Sequence, residues 1–210
     1  MSRIVRSLRP LLAAALCALA AAAHAADPGV FDDRLVLGGV LPQTGPPSLI
    51  GKAGVIALRV WEKDVNARGG INGRKIKLIV EEDGYVPQRS VQAIKKLVDV
   101  DKVFAVIGTS GSSHLMAMMP TIEESQIPAI NFAAVAGTHF NPPRKTVFNI
   151  GATYCQEITG VMKHLIATRK LQKAKFALIY QDDDFGADVK CGYDAALKAA
   201  GLSSAIDVPY

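Results

Sequence analysis

A loop of small residues, Gly108-Thr-Ser-Gly-Ser-Ser113, joins the apolar run Val103–Ile107 to a helical stretch, His114–Ser125. A strand, a short loop and a helix N-terminus together favour anion binding, because free backbone N–H groups and the positive end of the helix dipole converge there. The serine hydroxyls add donors, and His114 is the one candidate acid or base. The loop therefore indicates carboxylate binding rather than bond cleavage. The alternative is an ordinary strand-to-helix turn, which lies at the same edge of an open sheet.

Motifs for catalysis or metal binding are missing from this sequence. It has no Gly-x-Ser-x-Gly elbow and no Gly-x-x-x-x-Gly-Lys-Ser/Thr phosphate loop. His114, His139 and His164 stand apart, without the paired spacing of a zinc site. Asp182-Asp183-Asp184 lacks the spacing of a calcium loop and predicts a solvated strand end. We therefore predict no catalytic residue, metal or cofactor, and a hydrolase built on Ser113 and His114 remains the weaker alternative.

The first 25 residues have the pattern of a secretory signal peptide. Three arginines precede the apolar run Leu11–Ala23, and Ala23-His24-Ala25 fits a cleavage site. The run is too short and too rich in alanine for a good membrane span. The large Leu16 before Cys17 disfavours lipid attachment at that cysteine. The sequence thus predicts secretion.

Removal of that segment changes the charge balance of the chain. The whole sequence has 24 basic and 19 acidic residues, a formal net charge of +5, and three of the arginines leave with the signal peptide. The remaining chain has little positive excess and no basic block, which argues against a nucleic-acid partner. Cys155 and Cys191 also remain, and in an oxidising compartment they either pair or stay as two separate buried thiols.

The elements that position the loop alternate between strands and helices. Strands are predicted at 35–41, 75–81, 103–107, 127–132, 147–150, 176–181 and 204–208, and helices at 51–68, 87–99, 114–125, 155–169 and 186–200. In the first helix Ile56, Val60, Trp61 and Val65 follow helical spacing. Single helices between strands predict right-handed βαβ units on a mostly parallel sheet, hence an α/β fold.

The alternation stops at 137–145, around Asn141-Pro142-Pro143, and then restarts. We predict a signal peptide at residues 1–25, an N-terminal α/β lobe at 34–150 and the start of a second α/β lobe at 151–210. The first lobe has a common domain size. The second has barely two helices, so we expect it to be incomplete and the chain to be truncated.

Several short motifs occur in a characteristic order. They are Leu41-Pro-Gln-Thr-Gly-Pro46, Val65-Asn-Ala-Arg-Gly-Gly-Ile-Asn-Gly73, Glu82-Asp83, Lys96-Leu97-Val98, the serine loop, Ile127-Pro128 and Tyr180-Gln-Asp-Asp-Asp-Phe-Gly186. Together they resemble the branched-chain amino acid (leucine) binding proteins, which are type I periplasmic solute-binding proteins of ABC transporters. The resemblance extends from about Leu35 to Gly201 and rests on order and spacing, since each motif alone is weak.

The resemblance implies two α/β lobes, each a parallel sheet flanked by helices, joined by a hinge around a ligand cleft. It implies a monomeric periplasmic protein, not an enzyme, that captures a small carboxylate-bearing ligand, an amino acid or a related compound. The ligand would pass to an inner-membrane ABC permease. The same fold also serves in sensors that report a ligand to a regulator, and the sequence leaves that alternative open.

The resemblance also assigns candidate ligand contacts. Ser112 matches the family's carboxylate-binding serine, Ala133 offers its carbonyl to a ligand ammonium, and Phe185 matches an aromatic residue that closes over the ligand. The full candidate set is Ile50, Gly111, Ser112, Ser113, Ala133, Ala134, Val135 and Phe185.

Two candidates depart from the family pattern. Val135 stands where many members carry a Thr or Ser hydroxyl, and Phe185 where Tyr is common, which puts standard amino acid recognition in doubt. Each contact also has a structural alternative, since Ser112 and Ser113 can simply cap the following helix and Phe185 can pack in the core.

Overall fold

A computed structural model describes residues 27–210, and the predicted signal peptide lies outside them. It confirms the α/β fold, with one five-stranded parallel sheet in the order β2-β1-β3-β4-β5 and a second parallel sheet of β6 and β7. The strands are β1 (Arg34–Val40), β2 (Lys75–Glu81), β3 (Ala105–Thr109), β4 (Ala129–Asn131), β5 (Val147–Asn149), β6 (Phe176–Tyr180) and β7 (Ser204–Pro209). The helices are α1 (Ser48–Ala67), α2 (Pro87–Lys95), α3 (Ser112–Ser125), α4 (Tyr154–Thr168) and α5 (Asp184–Ala199). No helix between Asp27 and Tyr210 combines the length and the apolar composition that a membrane span requires.

The strands β1–β5 and the helices α1–α3 form what we call the five-stranded unit. Its sheet carries apolar side chains on both faces, as the continuous apolar strands predict. Residues of α2 and α3, among them Ile94 and Leu115, pack with Val106 on one face. On the other face Val65 of α1 packs over β1 and β2, next to Leu37.

The α1 side of this sheet is only partly covered. The apolar spacing in α1 correctly predicts a helix, but Ile56 and Val60 remain 64% and 63% exposed while Val65 is buried. Ile130 of β4 and Phe148 of β5, which are paired in the sheet, are also exposed, whereas Ala129, Asn131 and Val147 beside them are buried. Within residues 27–210, α1 therefore leaves β4 and β5 open on this face.

The strands β6 and β7 and the helices α4 and α5 form the two-stranded unit. Its core is the small cluster of Ile166, Tyr193 and Leu197. Cys155 and Cys191 form a disulfide between the first turn of α4 and the middle of α5, so of the two alternatives the structure has the paired one. The backbone N–H of Cys155 also donates to the Asp188 carboxylate across the two helices, at 3.0 Å.

One glycine in each unit lets a helix begin directly against the preceding strand. A Cβ at Gly51 of α1 would overlap the carbonyl oxygen of Pro42, just after β1. A Cβ at Gly186 of α5 would overlap that of Gln181, just after β6. These close contacts hold both helix N-termini at the carboxyl ends of the strands, the edge at which open α/β sheets bind ligands.

Candidate ligand-binding site

A cavity of about 450 Å³ lies between the five-stranded and the two-stranded units. Its lining consists of Pro46, Pro47, Ile50, Tyr85, Ser110, Gly111, Ser112, Ala133, Tyr154, Gln181 and Phe185. Three aromatic rings, two prolines and an isoleucine supply apolar surface, and the serines, the phenols and the glutamine supply polar groups. Apolar walls with a few convergent polar groups are typical of small-molecule sites.

The N-terminus of α3 forms the most polar part of this lining. The helix begins at Ser112, two residues earlier than the sequence predicts, after Gly111 with a φ of 94°, a value that favours glycine. The N–H groups of its first turn have no acceptor within the helix. Ser112 is 1% exposed, and its hydroxyl lies beside the Tyr154 phenol without making a hydrogen bond of normal geometry to any of the described residues. A buried, unpaired donor at a helix N-terminus is suited to an anionic ligand atom.

The loop after β4 lies beside this helix terminus. The Gly111 N–H donates to the Ala133 carbonyl at 3.0 Å. The Gly111 N–H is therefore not free for a ligand, and the Ala133 carbonyl keeps one lone pair for a second donor. Ala133 lines the cavity, whereas Ala134 and Val135 are buried outside its lining.

Two aromatic residues of the two-stranded unit form the facing wall. Tyr154 is the first residue of α4, Phe185 lies in the first turn of α5, and their rings meet edge to face with centroids 4.8 Å apart. Burial raises the pKa of Tyr154, and the neighbouring backbone of Val135 and hydroxyl of Ser112 oppose that rise. The Tyr154 phenol therefore stays neutral at physiological pH and is available as a donor.

Tyr85 is a lining residue that the sequence reasoning missed. Its backbone has a φ of 59°, and the Asp83 carboxylate holds it by accepting the Tyr85 N–H at 3.0 Å. The second Asp83 oxygen accepts the Ser90 hydroxyl at 2.6 Å. The Tyr85 ring stacks on His114 with centroids 4.2 Å apart. Burial raises the pKa of Tyr85 while the side chain of Gln181 opposes the rise, so this phenol too remains neutral.

The structure brings together five of the eight candidate residues, namely Ile50, Gly111, Ser112, Ala133 and Phe185. Ser113 is not in the lining, since its hydroxyl donates to the Asp183 carboxylate of the other unit at 3.1 Å. The prediction of a solvated strand end at Asp182–Asp184 was wrong for Asp183. Its other oxygen caps α5 by accepting the Gly186 N–H at 3.0 Å. The Asp-Gly pair before Tyr85 indicates a turn, but nothing in the sequence shows that this turn directs the phenol into the cavity.

One cluster in the described residues, Cys155, Asp188 and Cys191, brings metal-ligating side chains together. Because the two sulfurs form a disulfide, no thiolate is present and one carboxylate remains. The cluster therefore does not fit a metal ion.

The family model described as periplasmic binding protein matches residues 35–210. The chain belongs to this family. Its members are substrate-binding proteins rather than enzymes, and the family implies a periplasmic location. The match and the similar proteins together support a type I periplasmic binding protein of the branched-chain amino acid family.

One relative is the Leu/Ile/Val-binding protein homolog 7 of Brucella suis biovar 1, which is 27% identical to this chain. The aligned region covers 93% of this chain and 50% of the relative. The fatty acid ABC transporter substrate-binding protein of Thermomonospora curvata superposes with a TM-score of 0.76 at 26% identity, over 87% of this chain and 46% of that one. A Rhodopseudomonas palustris solute-binding protein in complex with 3,4-dihydroxy benzoic acid shares the fold, with a TM-score of 0.74 and 20% identity. The superposition covers 85% of this chain and 47% of that protein. The chain spans about half the length of the relatives it matches.

Proposed function

We propose that the chain is part of a periplasmic substrate-binding protein that captures a small carboxylate-bearing ligand for an inner-membrane ABC permease. The observation that carries this proposal is the buried Ser112 hydroxyl at the N-terminus of α3, which makes no normal hydrogen bond within residues 27–210 and lies in the lining of a cavity between the two units. The family match and the transporter relatives support the transport role. Ser112 would bind the carboxylate, the role that the family resemblance implies for it.

The carboxylate of the ligand would lie against the first turn of α3. The Ser112 hydroxyl and the free N–H groups of that turn would donate to its oxygens, and the neutral phenol of Tyr154 would add a donor from the other unit. The positive end of the α3 dipole would favour the negative charge. Charge-assisted hydrogen bonds of this kind are stronger than neutral ones, so the carboxylate would fix the orientation of the ligand.

The remainder of the ligand would lie among apolar and aromatic walls. Tyr85, Tyr154 and Phe185 present ring surface, and Ile50 adds an aliphatic side chain to the lining. An amino acid ligand would find the free lone pair of the Ala133 carbonyl for its ammonium group. Two relatives are named for leucine, isoleucine and valine and for a fatty acid, and a protein of the same fold holds 3,4-dihydroxy benzoic acid. All of these compounds are carboxylates with an apolar body, the ligand class that we propose.

The two units would act as the two lobes of a hinged, monomeric receptor, divided near Gly151 as the sequence predicts. The cavity between them would close around the ligand by a hinge motion. The ligand would shift the protein towards the closed form because it binds that form more tightly.

A thermal-shift panel on the secreted protein, with any residues that its gene encodes beyond Tyr210, tests the ligand class. Leucine and 4-methylpentanoate form a pair that differs only in the ammonium group, and 3,4-dihydroxybenzoate and octanoate sample the other relatives. The uncharged 4-methylpentanamide and glucose are the controls. We expect at least one carboxylate to raise the melting temperature while both controls leave it unchanged. Stabilisation by glucose alone, or by none of the compounds, would contradict the proposal.

Substitution of Ser112 tests the carboxylate contact directly. We expect Ser112→Ala to weaken binding of the best carboxylate by about 1–3 kcal/mol, the cost of leaving a charged partner unmet. Isothermal titration calorimetry measures the loss. Ser125→Ala, at the far end of α3, is the matched control and should bind normally. Equal affinity of the Ser112→Ala and wild-type proteins would remove Ser112 from the site.

A further inference from the structure

The carboxylate of Asp183 joins the two units close to the N-termini of α3 and α5. The Ser113 hydroxyl, in the first turn of α3, donates to Asp183 Oδ2 at 3.1 Å. The same oxygen accepts the Gln181 side-chain amide at 2.7 Å, and Oδ1 accepts the Gly186 N–H at 3.0 Å. Each oxygen of Asp183 is thus bound, and one of the three donors belongs to the other unit.

The local sequence explains why Asp183 occupies this place. It is the N-cap residue of α5, a position at which aspartate is strongly preferred, and Gly186 allows α5 to start against the end of β6. The cap fixes the direction of the carboxylate within its own unit before any contact with α3. The negative charge also lies near the N-terminal ends of two helices, both of which favour it.

Gln181 extends the contact towards the cavity. Its amide holds Asp183, and its side chain lies beside the Tyr85 phenol of the five-stranded unit, where it influences the pKa of that phenol. Tyr85 and Gln181 both line the cavity, whereas Ser113 and Asp183 lie outside its lining. The polar contacts between the units therefore extend from Ser113 and Asp183, outside the lining, to Gln181 in the cavity wall.

We infer that Ser113 and Asp183 form a latch that stabilises the closed form of the receptor without touching the ligand. The inference rests on the hinge closure proposed above. Separation of the units breaks the Ser113–Asp183 hydrogen bond but leaves the α5 cap intact, because the Gly186 donor belongs to the same unit as Asp183. The contact therefore contributes to closure and not to the fold of either unit. Ser113 and Asp183 are positioning residues that slow the release of a bound carboxylate.

A double-mutant cycle on the secreted protein tests the latch. Ser113→Ala removes the donor. Asp183→Ser keeps a good N-cap residue but is too short to reach α3. Asp182→Ser is the matched control, because Asp182 is exposed and lies one position away. The probe is whichever of leucine, 4-methylpentanoate, 3,4-dihydroxybenzoate and octanoate gives the largest thermal shift. Stopped-flow dissociation and calorimetry measure its release and its affinity.

We expect Ser113→Ala and Asp183→Ser each to weaken probe binding about tenfold, mainly through faster dissociation. The double variant should lose little more than either single variant, since the two residues share one bond. Ser113→Thr keeps the hydroxyl and should restore slow release, and Asp182→Ser should behave as wild type. Fully additive losses, or single variants with normal release, would overturn the latch.

Small-angle X-ray scattering gives a second readout that needs no ligand. If the latch holds the units together, Ser113→Ala and Asp183→Ser should increase the radius of gyration relative to Asp182→Ser, with circular dichroism unchanged. If none of the four probes binds any variant, the proposed carboxylate ligand fails, and the scattering still decides the latch. Identical scattering from all variants in that case would overturn it.

Discussion

The two units of the molecule are stabilised in different ways. The five-stranded unit buries a large apolar cluster on one face of its sheet and a second cluster under α1. The core cluster of the two-stranded unit has only three buried residues, Ile166, Tyr193 and Leu197, and several direct links join α4 to α5. These links are the disulfide, the hydrogen bond from the Cys155 N–H to Asp188 and the close approach at Gly192. Within the described residues, buried apolar side chains stabilise the five-stranded unit, whereas the disulfide and polar contacts between α4 and α5 stabilise the two-stranded unit.

The difference affects the site directly. The five-stranded unit supplies a wall on a well-packed scaffold, including the N-terminus of α3 and the Tyr85 phenol. The two-stranded unit supplies Tyr154 and Phe185 from the ends of α4 and α5 that face the cavity. Cys155 follows Tyr154 directly, so the disulfide lies next in the chain to one member of the aromatic pair. We therefore expect the same kind of substitution to act differently in the two units.

The largest expected effect is a cavity in the main core. Leu115 is fully buried in the large cluster, and Leu115→Ala should lower the free energy of unfolding of the five-stranded unit by about 2–5 kcal/mol. Ile166→Ala, in the small core of the other unit, should cost less because fewer neighbours surround it. Urea unfolding, with hydrogen exchange as the readout for each unit, measures the loss of unfolding free energy in both variants. Equal losses would show that the two cores support their units equally.

Removal of the disulfide should have the next largest effect. The double substitution Cys155→Ser and Cys191→Ser opens a link across 36 residues and should cost the two-stranded unit about 2–4 kcal/mol. Hydrogen exchange should speed up in α4 and α5 and stay unchanged in β3 and α3. Dithiothreitol should reproduce the effect in the wild type and add nothing in the double variant. Faster exchange in the strands of both sheets would contradict the expectation that the disulfide stabilises only the two-stranded unit.

The smallest expected effect is a pH dependence confined to the five-stranded unit. Burial lowers the pKa of His139 from the ordinary value of 6.5, although the backbone of Ala134 opposes the shift. Below pH 6.5 the unfolded chain therefore binds more protons than the folded one, and stability falls as the pH falls. Well above pH 6.5 His139 is neutral in both the folded and the unfolded chain, so its contribution to stability no longer changes with pH. Urea unfolding between pH 5 and pH 8 should show a slope that His139→Gln reduces, and an unchanged slope would contradict the assignment.

Much of the fold could be predicted because its signals are local. Apolar strands, helical spacing and the glycine turns place the elements within a few residues of their observed bounds, and the type I family follows from the order of the motifs. The uncovered side of α1 could not be predicted. Helical spacing at Ile56 and Val60 shows that a helix has an apolar side but not whether another element covers it.

The candidate site divides in the same way. Ser112 and Phe185 are assigned from the family resemblance, and both line the cavity. Tyr85 depends on a left-handed backbone and on a ring stacked against His114, which are contacts between separate elements. The partnership of Ser113 with Asp183 joins residues 70 positions apart in the chain. Such long-range pairs leave no periodic trace in one sequence.

Gly51 and Gly186 have a further consequence for which positions of this chain tolerate substitution. Each glycine lets a helix start against a strand end, one in each unit, and a methyl group at either position collides with a backbone carbonyl rather than with a side chain that can turn away. Substitution of the side chains that line the cavity leaves these two contacts in place. The two glycines thus fix where the two helices begin, separately from the residues of the lining.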